Sequence, residues 1–530
     1  MVNDLKINGK EYLNVANLKA KRKDNSIGTF YDTGDATVDP SKVLKDQVAY
    51  GKDGMIIGTY QPPAGYSEEN SQEWGPEDIL FIDYYGQVIK SYKTSELPLE
   101  NLPAIPTLSG ENSDKYTFSW RKTLEEVNAM TNGGRVLCKV EIADSTPTVF
   151  IPDENGFTET MYIYYYSVNT STSVKFDWGD GTIKDITAPT SGYNSVSHTY
   201  STPCHNPISV LVTSTNSGIF MFGNYSNPSY GLGYQNRSPV PQTKEIRFGS
   251  KTGIGSYGMY QYDSSRYGVS AFEKIILPEG IALRDSSFTS SSNLRGVCIP
   301  ESVTNIPGSC FSSCNLGIIC LPETISTVSG SAFYYNKTLT FAFLEEGIKS
   351  INNNCFQSCY SLKHIFLPST LNYIGGGCFS GCYNLNDISI PDTVTSLESS
   401  TFSSCMGLSN IQFSKNITSF GTDCFRGCYS LRSIMCPKKL KTVGTNCFYE
   451  CYSLQSIVFE DEIASIGSSA FYNALSLKLI QIKNPSPPAL SGDLPYNYYR
   501  TLRILIPAGS KTEYVSASYW VNVAGRLIEV

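Results

Sequence analysis

Between residues 288 and 480 the apolar positions recur at one fixed interval. Phe288, Phe311, Phe333, Phe356, Phe379, Phe402, Phe425, Phe448 and Phe471 follow one another at 23 residues, with one step of 22 between Phe311 and Phe333. Six positions after most of them stands Leu (Leu294, Leu339, Leu362, Leu385, Leu408, Leu431, Leu454, Leu477). Three further on stands an apolar residue (Val297, Ile365, Ile388, Ile411, Ile434, Ile457, Ile480). The short step fits a one-residue deletion near Cys314-Asn315-Leu316. In Leu362-Lys363-His364-Ile365-Phe366-Leu367, strand alternation turns Ile365 and Leu367 inward beside Leu362. The pattern predicts one short strand per unit, stacked into a parallel sheet. The rest of each unit returns over the other face through turns such as Gly375-Gly376-Gly377. One such unit cannot bury its own Phe and Leu, but two neighbours can, so stability is expected to be a nearest-neighbour sum.

The front half reads as separate small units. Residues 35–60 predict a short amphipathic helix and a closing hairpin with its turn from Gly51 to Gly54. Gln61-Pro62-Pro63-Ala64-Gly65-Tyr66 reads as linker. Ile79 to Tyr92 predicts a hairpin turning near Gly86, Trp120 to Met130 a helix, and Arg135 to Val140 a strand. Residues 216–270, rich in Gly, Tyr, Ser and Asn, are expected to be degenerate first repeats docked on the domain before them.

Composition narrows the class. The chain has 530 residues and a formal charge of −7, and 17% of its residues are charged, below the average of roughly 25%. Tyr (36) outnumbers Phe (25), which suits a β-rich extracellular or virion surface. Phosphate binding needs clustered Lys and Arg, so no nucleic-acid partner is expected. No apolar run of about 18 residues occurs, so no membrane insertion is expected. The polar start, Met1-Val2-Asn3-Asp4, lacks the apolar stretch of a secretory signal. The expected place is a virion surface, reached by synthesis in a host cytoplasm and release by lysis; a mature bacterial protein already trimmed of its export signal is the alternative.

Three segments resemble known families. Asp387-Ile388-Ser389-Ile390-Pro391 through Cys405 resembles the BspA-type leucine-rich repeat, and Ile504 to Trp520 is similar to the segment that ends such arrays. Val174-Lys175-Phe176-Asp177-Trp178-Gly179-Asp180-Gly181-Thr182 with Ser197-His198-Thr199-Tyr200 resembles the polycystic-kidney-disease-type β-sandwich. Asp35-Ala36-Thr37 through Gly58-Thr59-Tyr60 resembles a small module of phage tail and tail-fibre proteins, with Lys45-Asp46-Gln47 in place of its Gly-Lys-Thr. Together they imply a β-rich multidomain chain: a leucine-rich-repeat solenoid preceded by an Ig-like, PKD-like β-sandwich and small α+β N-terminal modules. The expected division is 1–60 virion attachment, 61–76 linker, 77–145 α+β domain, 146–215 sandwich, 216–270 degenerate repeats, 271–500 repeats and 501–530 C-terminal cap.

Candidate chemistry is sparse. Fourteen of the sixteen Cys lie in residues 298–451, five pairs as Cys-Phe-x-x-Cys. The equivalent positions also hold Ala332, Thr401, Ala470, Asn336 and Ala474. A metal ligand would not alternate with Ala, whereas a small buried residue would. Asp177 and Asp180 read as turn formers rather than Ca²⁺ ligands. The three histidines, His198, His205 and His364, complete no catalytic motif. No enzyme activity, cofactor or metal is expected.

Binding is the remaining chemistry. Ten residues after each Phe an outward stripe forms on the expected concave sheet: Phe343, Phe366, Ser389, Gln412, Met435, Val458 and Gln481. The alternative is that a neighbour covers this face. Four residues after the Phe stand Tyr360, Tyr383, Tyr429 and Tyr452, interrupted by Met406. Stacked tyrosines suit sugars, and they also stabilise a repeat stack. These features and resemblances imply a bacteriophage virion protein (tail fibre, tail tip or head fibre). It would be homo-oligomeric, joined to other virion proteins through residues 1–60, and would bind a bacterial surface glycan or protein through its repeats. The alternative is a bacterial cell-surface adhesin with the same repeats.

Overall fold

The computed structural model describes residues 74–530 except 76, 111, 132, 159, 168–171, 188–191, 215–219, 223–242, 251, 255–271 and 495–501. Within residues 1–73 it describes only the strands Leu5–Ile7, Lys10–Tyr12, Ala16–Lys21, Ile27–Tyr31, Val48–Gly51 and Gly54–Ile57. There, Val48–Gly51 and Gly54–Ile57 pair antiparallel with Gly51 opposite Gly54, the expected hairpin. The expected helix before it and the 61–66 linker lie outside the described residues.

The 23-residue unit forms a coil with two strands, not one. The longer strands (such as Phe341–Leu344, His364–Phe366 and Ser433–Met435) and the two-residue strands (such as Ser350–Ile351 and Tyr373–Ile374) build two parallel ladders on separate sides. The second strand escaped the sequence reading because it contributes one inward side chain per unit, for example Ile374 or Leu397. A third set of inter-repeat bonds joins the remaining side. The N–H groups of Asn354, Phe356 and Ser358 donate to the carbonyls of Gly376, Cys378 and Ser380. This segment alternates into the left-handed region at Asn354 (φ 58) and Ser358 (φ 60). The equivalent residues include Gly377, Gly381, Ser400, Ser404 and Gly427, which accounts for the richness in small turn-forming residues.

Inside the coil the Phe side chains form a continuous stack from Phe288 to Phe471. Neighbouring centroids lie between 5.2 Å (Phe288–Phe311) and 6.0 Å (Phe356–Phe379) apart. All nine are fully buried. Each is worth roughly 3–5 kcal/mol against truncation to Ala. At the C-terminal end Tyr514 and Trp520 pack edge to face at 5.0 Å over the last coil. Their polar atoms donate to the carbonyls of Asn484 and Pro488. Both rings are fully buried in the core continuous with the coils.

At the N-terminal end the solenoid grows out of a two-sheet unit. One sheet contains Thr148–Pro152, Thr172–Asp177, Ile183–Thr187 and Ile208–Ser214; the other contains Thr160–Ser167 and Gly192–Thr199. Both contribute to one core through Phe150, Met161, Ile163, Phe176, Val196 and Val210. Thr243–Arg247 pairs antiparallel with Thr148–Pro152 on one side and parallel with Lys274–Ile276 on the other. Phe220–Phe222 joins the second sheet and pairs parallel with Thr252–Ile254. An antiparallel strand therefore closes the first edge of the parallel array, and the two cores are continuous through Phe248 and Phe288.

Residues 77–145 form a four-stranded sheet of Asp78–Ile82, Val88–Lys93, Gly134–Ile142 and Tyr116–Trp120. The expected hairpin and strand are there. The helix is shorter than expected: it spans Leu124–Asn128 behind a Thr123–Glu126 capping box, and Trp120 ends a strand instead. Edge pairing with Cys138 and packing of its ring on Phe81 hold Trp120 extended.

Candidate functional site

The outward stripe is divided in two by the 77–145 unit, which lies on the long-strand sheet. Its Leu80, Ile82 and Leu137, with Trp74 just before it, form one apolar cluster with Cys298, Ile318, Cys320, Phe341 and Phe343 of the solenoid. Arg135 is buried there. Its guanidinium carbon lies 3.7 Å from the Phe343 ring centroid, and Nη1 donates to the carbonyls of Asp78 and Gly134. Arg121 Nη2 donates to the Ile299 carbonyl at 2.6 Å. Cys298 Sγ donates to the Cys138 carbonyl at 3.3 Å. The approach is closest at the hairpin turn: a Cβ on Gly86 (φ 75) would lie 2.4 Å from the Val297 carbonyl oxygen.

One of the sequence-derived face residues is corrected by this arrangement. Phe343 is 1% exposed, and the neighbour that covers it belongs to the same chain. Phe366, at the rim of the same cluster, is half-buried. The sequence carried no sign of the covering neighbour, because the contact joins segments some two hundred residues apart through ordinary apolar side chains and one arginine.

Beyond Phe366 the sheet face is open among the described residues. Ser389 and Gln412 are exposed, and Met435 is 71% exposed. Val458 and Gln481 are half-buried. A second outward row runs two positions earlier: His364, Asp387, Asn410 and Ser433. Strand alternation turns this position outward as well, so the sequence signals it in the same way. His364 Nδ1 lies 3.3 Å from Asp387 Oδ1, and Ser389 Oγ donates to Gln412 Oε1 at 3.3 Å.

The tyrosine ladder has a different character. Tyr360 and Tyr383 stack at 4.8 Å with planes 9° apart, and Tyr429 and Tyr452 at 5.0 Å with planes 23° apart. Within each pair the facing ring surfaces cover one another. Burial and the neighbouring Tyr383 push the Tyr360 phenol up to about 12. The ladder is built first of all to hold successive coils together.

The remaining chemistry-bearing residues have structural places. All sixteen cysteines are buried free thiols. The second thiol of each pair donates to the Phe carbonyl of the preceding coil, as Cys382 Sγ does to Phe356 and Cys428 Sγ to Phe402. At the equivalent position Asn336 Nδ2 donates to Phe311 O at 2.7 Å. Burial pushes the thiols up, Cys298 to about 11 and Cys359 to about 12. Asp180 accepts from the Thr182 amide at 3.0 Å and lies 2.7 Å from His198 Nε2. The Asp177 carboxylate accepts from the Gly179 amide. Among the described residues no group of three or more His, Cys, Asp or Glu is placed to hold a metal ion. No described helix is long and apolar enough to cross a membrane.

Residues 263–386 and 372–486 match the BspA type leucine rich repeat region, in six copies. The solenoid is thus a BspA-type leucine-rich repeat domain. Among solved structures, a leucine-rich repeat protein from Bacteroides ovatus is 19% identical, covering 56% of this chain and 95% of its own, with a TM-score of 0.27. A leucine rich cell surface protein from Faecalibacterium prausnitzii is 19% identical, covering 45% and 84%, with a TM-score of 0.26. A leucine-rich repeat protein from Eubacterium ventriosum is 16% identical, covering 50% and 80%, with a TM-score of 0.32. Curated protein sequences contain no match to the chain.

Proposed function

We propose that the chain is a surface-displayed recognition protein of the cell-surface adhesin kind, which binds its partner through the open part of the long-strand sheet and carries out no catalysis. The observation that carries this reading is the row from Ser389 to Gln481. Successive strands of a BspA-type solenoid present hydroxyl, amide and apolar groups on a face where, among the described residues, Ser389, Gln412 and Met435 are exposed. Rigid parallel strands fix these groups in place, so a partner would meet a preorganised surface. The two-sheet unit, read as a PKD-like spacer, would hold that face away from the point of attachment.

Binding of the labelled intact chain to isolated bacterial envelopes tests the reading. The expected result is saturable binding that falls at least about tenfold when Gln412, Met435 and Gln481 are replaced together by Lys, Asp and Lys. Envelope binding unchanged by that triple substitution would sink it.

A second reading, a phage virion appendage attached through residues 1–60, is favoured by one observation. The Asp35-Ala36-Thr37 segment is followed by the Val48–Gly51 and Gly54–Ile57 hairpin, as in the tail-protein pattern. Antibody against residues 271–500 separates the two in electron micrographs. Label on cell envelopes supports the adhesin; label on particles supports the virion appendage.

A further inference from the structure

Phe366 ends a short aromatic row on the sheet face. Its ring stacks on Phe343 with centroids 4.9 Å and planes 3° apart. One repeat further on, the same outward position is Ser389. Ser389 is exposed and carries no ring, so the aromatic row ends at Phe366, which is half-buried and keeps part of its side chain in contact with solvent. Phe366 lies at the step where the docked 77–145 unit stops and the bare sheet begins. Around it stand exposed Asp387, Ser389, Asn410 and Gln412, with His364 3.3 Å from Asp387.

We infer that this step binds a neutral saccharide, with the Phe366 face as its stacking platform and Asp387, Asn410 and Gln412 as its hydrogen-bonding rim. The inference rests on the recognition reading above and names its ligand class. The apolar C–H face of a pyranose is weakly positive and matches the negative face of a phenyl ring. Its ring hydroxyls match carboxylate and amide groups that both accept and donate. The outward positions from Asp387 to Gln481 include no Lys or Arg, so nothing there pairs with a carboxylate or sulfate on the ligand. Arg135, 5.6 Å from the Phe366 centroid, is buried and committed to backbone carbonyls. A protein partner needs roughly 800 Å² of complementary surface on this side with an apolar centre. On the rows from Asp387 to Met435 the one strongly exposed apolar side chain is Met435 itself.

Native affinity electrophoresis of the intact chain tests this, with a mannan, a galactan, an α-glucan, a β-glucan and a xylan incorporated in separate gels. At least one should retard the wild-type chain. Ser389→Phe should weaken retardation at least about tenfold, because the new ring extends the Phe343–Phe366 row and covers the part of Phe366 that meets solvent. Ser389 is exposed, so this variant should fold; unreactive thiols in the native state verify that it does. Phe366→Ala should weaken retardation similarly, and Phe366→Tyr should retain it. Retardation by none of the five, or retardation unchanged in Ser389→Phe, overturns the saccharide site. Envelope binding that persists in Ser389→Phe overturns the site while leaving the recognition reading standing. Absence of envelope binding by the wild-type chain overturns that reading as well.

Discussion

The guanidinium of Arg135 rests on the ring of Phe343 at 3.7 Å, which fixes the small N-terminal sheet to the solenoid. A desolvated contact of this kind is worth about 2 kcal/mol. Arg135→Ala should loosen the docked unit without unfolding the coils. Hydrogen exchange should quicken at the Phe341–Leu344 and His364–Phe366 strands and stay unchanged around Phe448. Equal exchange in both variants would show that the apolar cluster holds the unit alone.

Gly86 makes the same contact steric. Its positive φ and the Val297 backbone beside it leave no room for a side chain. Gly86→Val should separate the two parts more completely than Arg135→Ala. Limited proteolysis should then cut between residues 77 and 145, leaving a resistant solenoid fragment.

The Phe stack sets the expected response of the core. Phe379→Ala, in the middle of the array, should lower unfolding free energy by roughly 3–5 kcal/mol. Each coil touches its two neighbours, so the loss should also break cooperativity at that point. Urea unfolding followed by circular dichroism and by fluorescence of a variant that keeps Trp520 as its one tryptophan should then give two separate transitions.

Left-handed positions occupied by Ser offer the opposite effect. Ser404 has φ 59, while Gly381 and Gly427 fill its place in the neighbouring coils. Ser404→Gly relieves a conformation costing an L-residue roughly 1–2 kcal/mol, offset in part by the larger unfolded-state entropy of Gly. A net gain of up to about 1 kcal/mol in denaturant titration is expected.

Alkaline pH should destabilise the repeats. Burial raises the Cys298 thiol to about 11 and Cys359 to about 12, and it raises Cys355, Cys382, Cys424, Cys428, Cys436 and Cys447 well above their ordinary value. An unfolded thiol ionises near about 8.5. Above that pH the unfolded chain releases protons that the folded chain still holds. This stability is therefore complete below about pH 8 and is lost as pH rises through 9 to 12. Each thiol contributes about 1.4 kcal/mol per pH unit to the slope. Urea midpoints at pH 7 and pH 10 measure it, and a thiol reagent should find no reactive cysteine until unfolding.

Most of the solenoid was legible because its signal repeats. Phe356, Leu362, Ile365 and Cys359 state the same instruction as their counterparts in every coil, and the alternation of Cys with Ala and Asn marked a small buried site rather than a ligand. The second ladder was not legible, since Ile374 alone marks its place within a unit. The division of the face was hidden for a different reason. Whether Phe343 meets solvent depends on Arg135 and Trp74, whose positions become adjacent only when the whole chain is folded. Strand alternation predicts the outward placing of Ser389, Gln412 and Met435, but nothing in it marks a boundary at Phe366.

The docked unit reaches along the sheet no further than the Phe366 row, and both ends of the array are closed by separate devices: an antiparallel strand and the Tyr514–Trp520 lid. Coils between those limits share one register and one set of neighbours. Unequal recombination that inserts or deletes whole 23-residue units there would leave both closures and the docked unit intact. The length of uncovered sheet is thus a quantity that heredity can vary in steps of one coil, without rebuilding the protein around it.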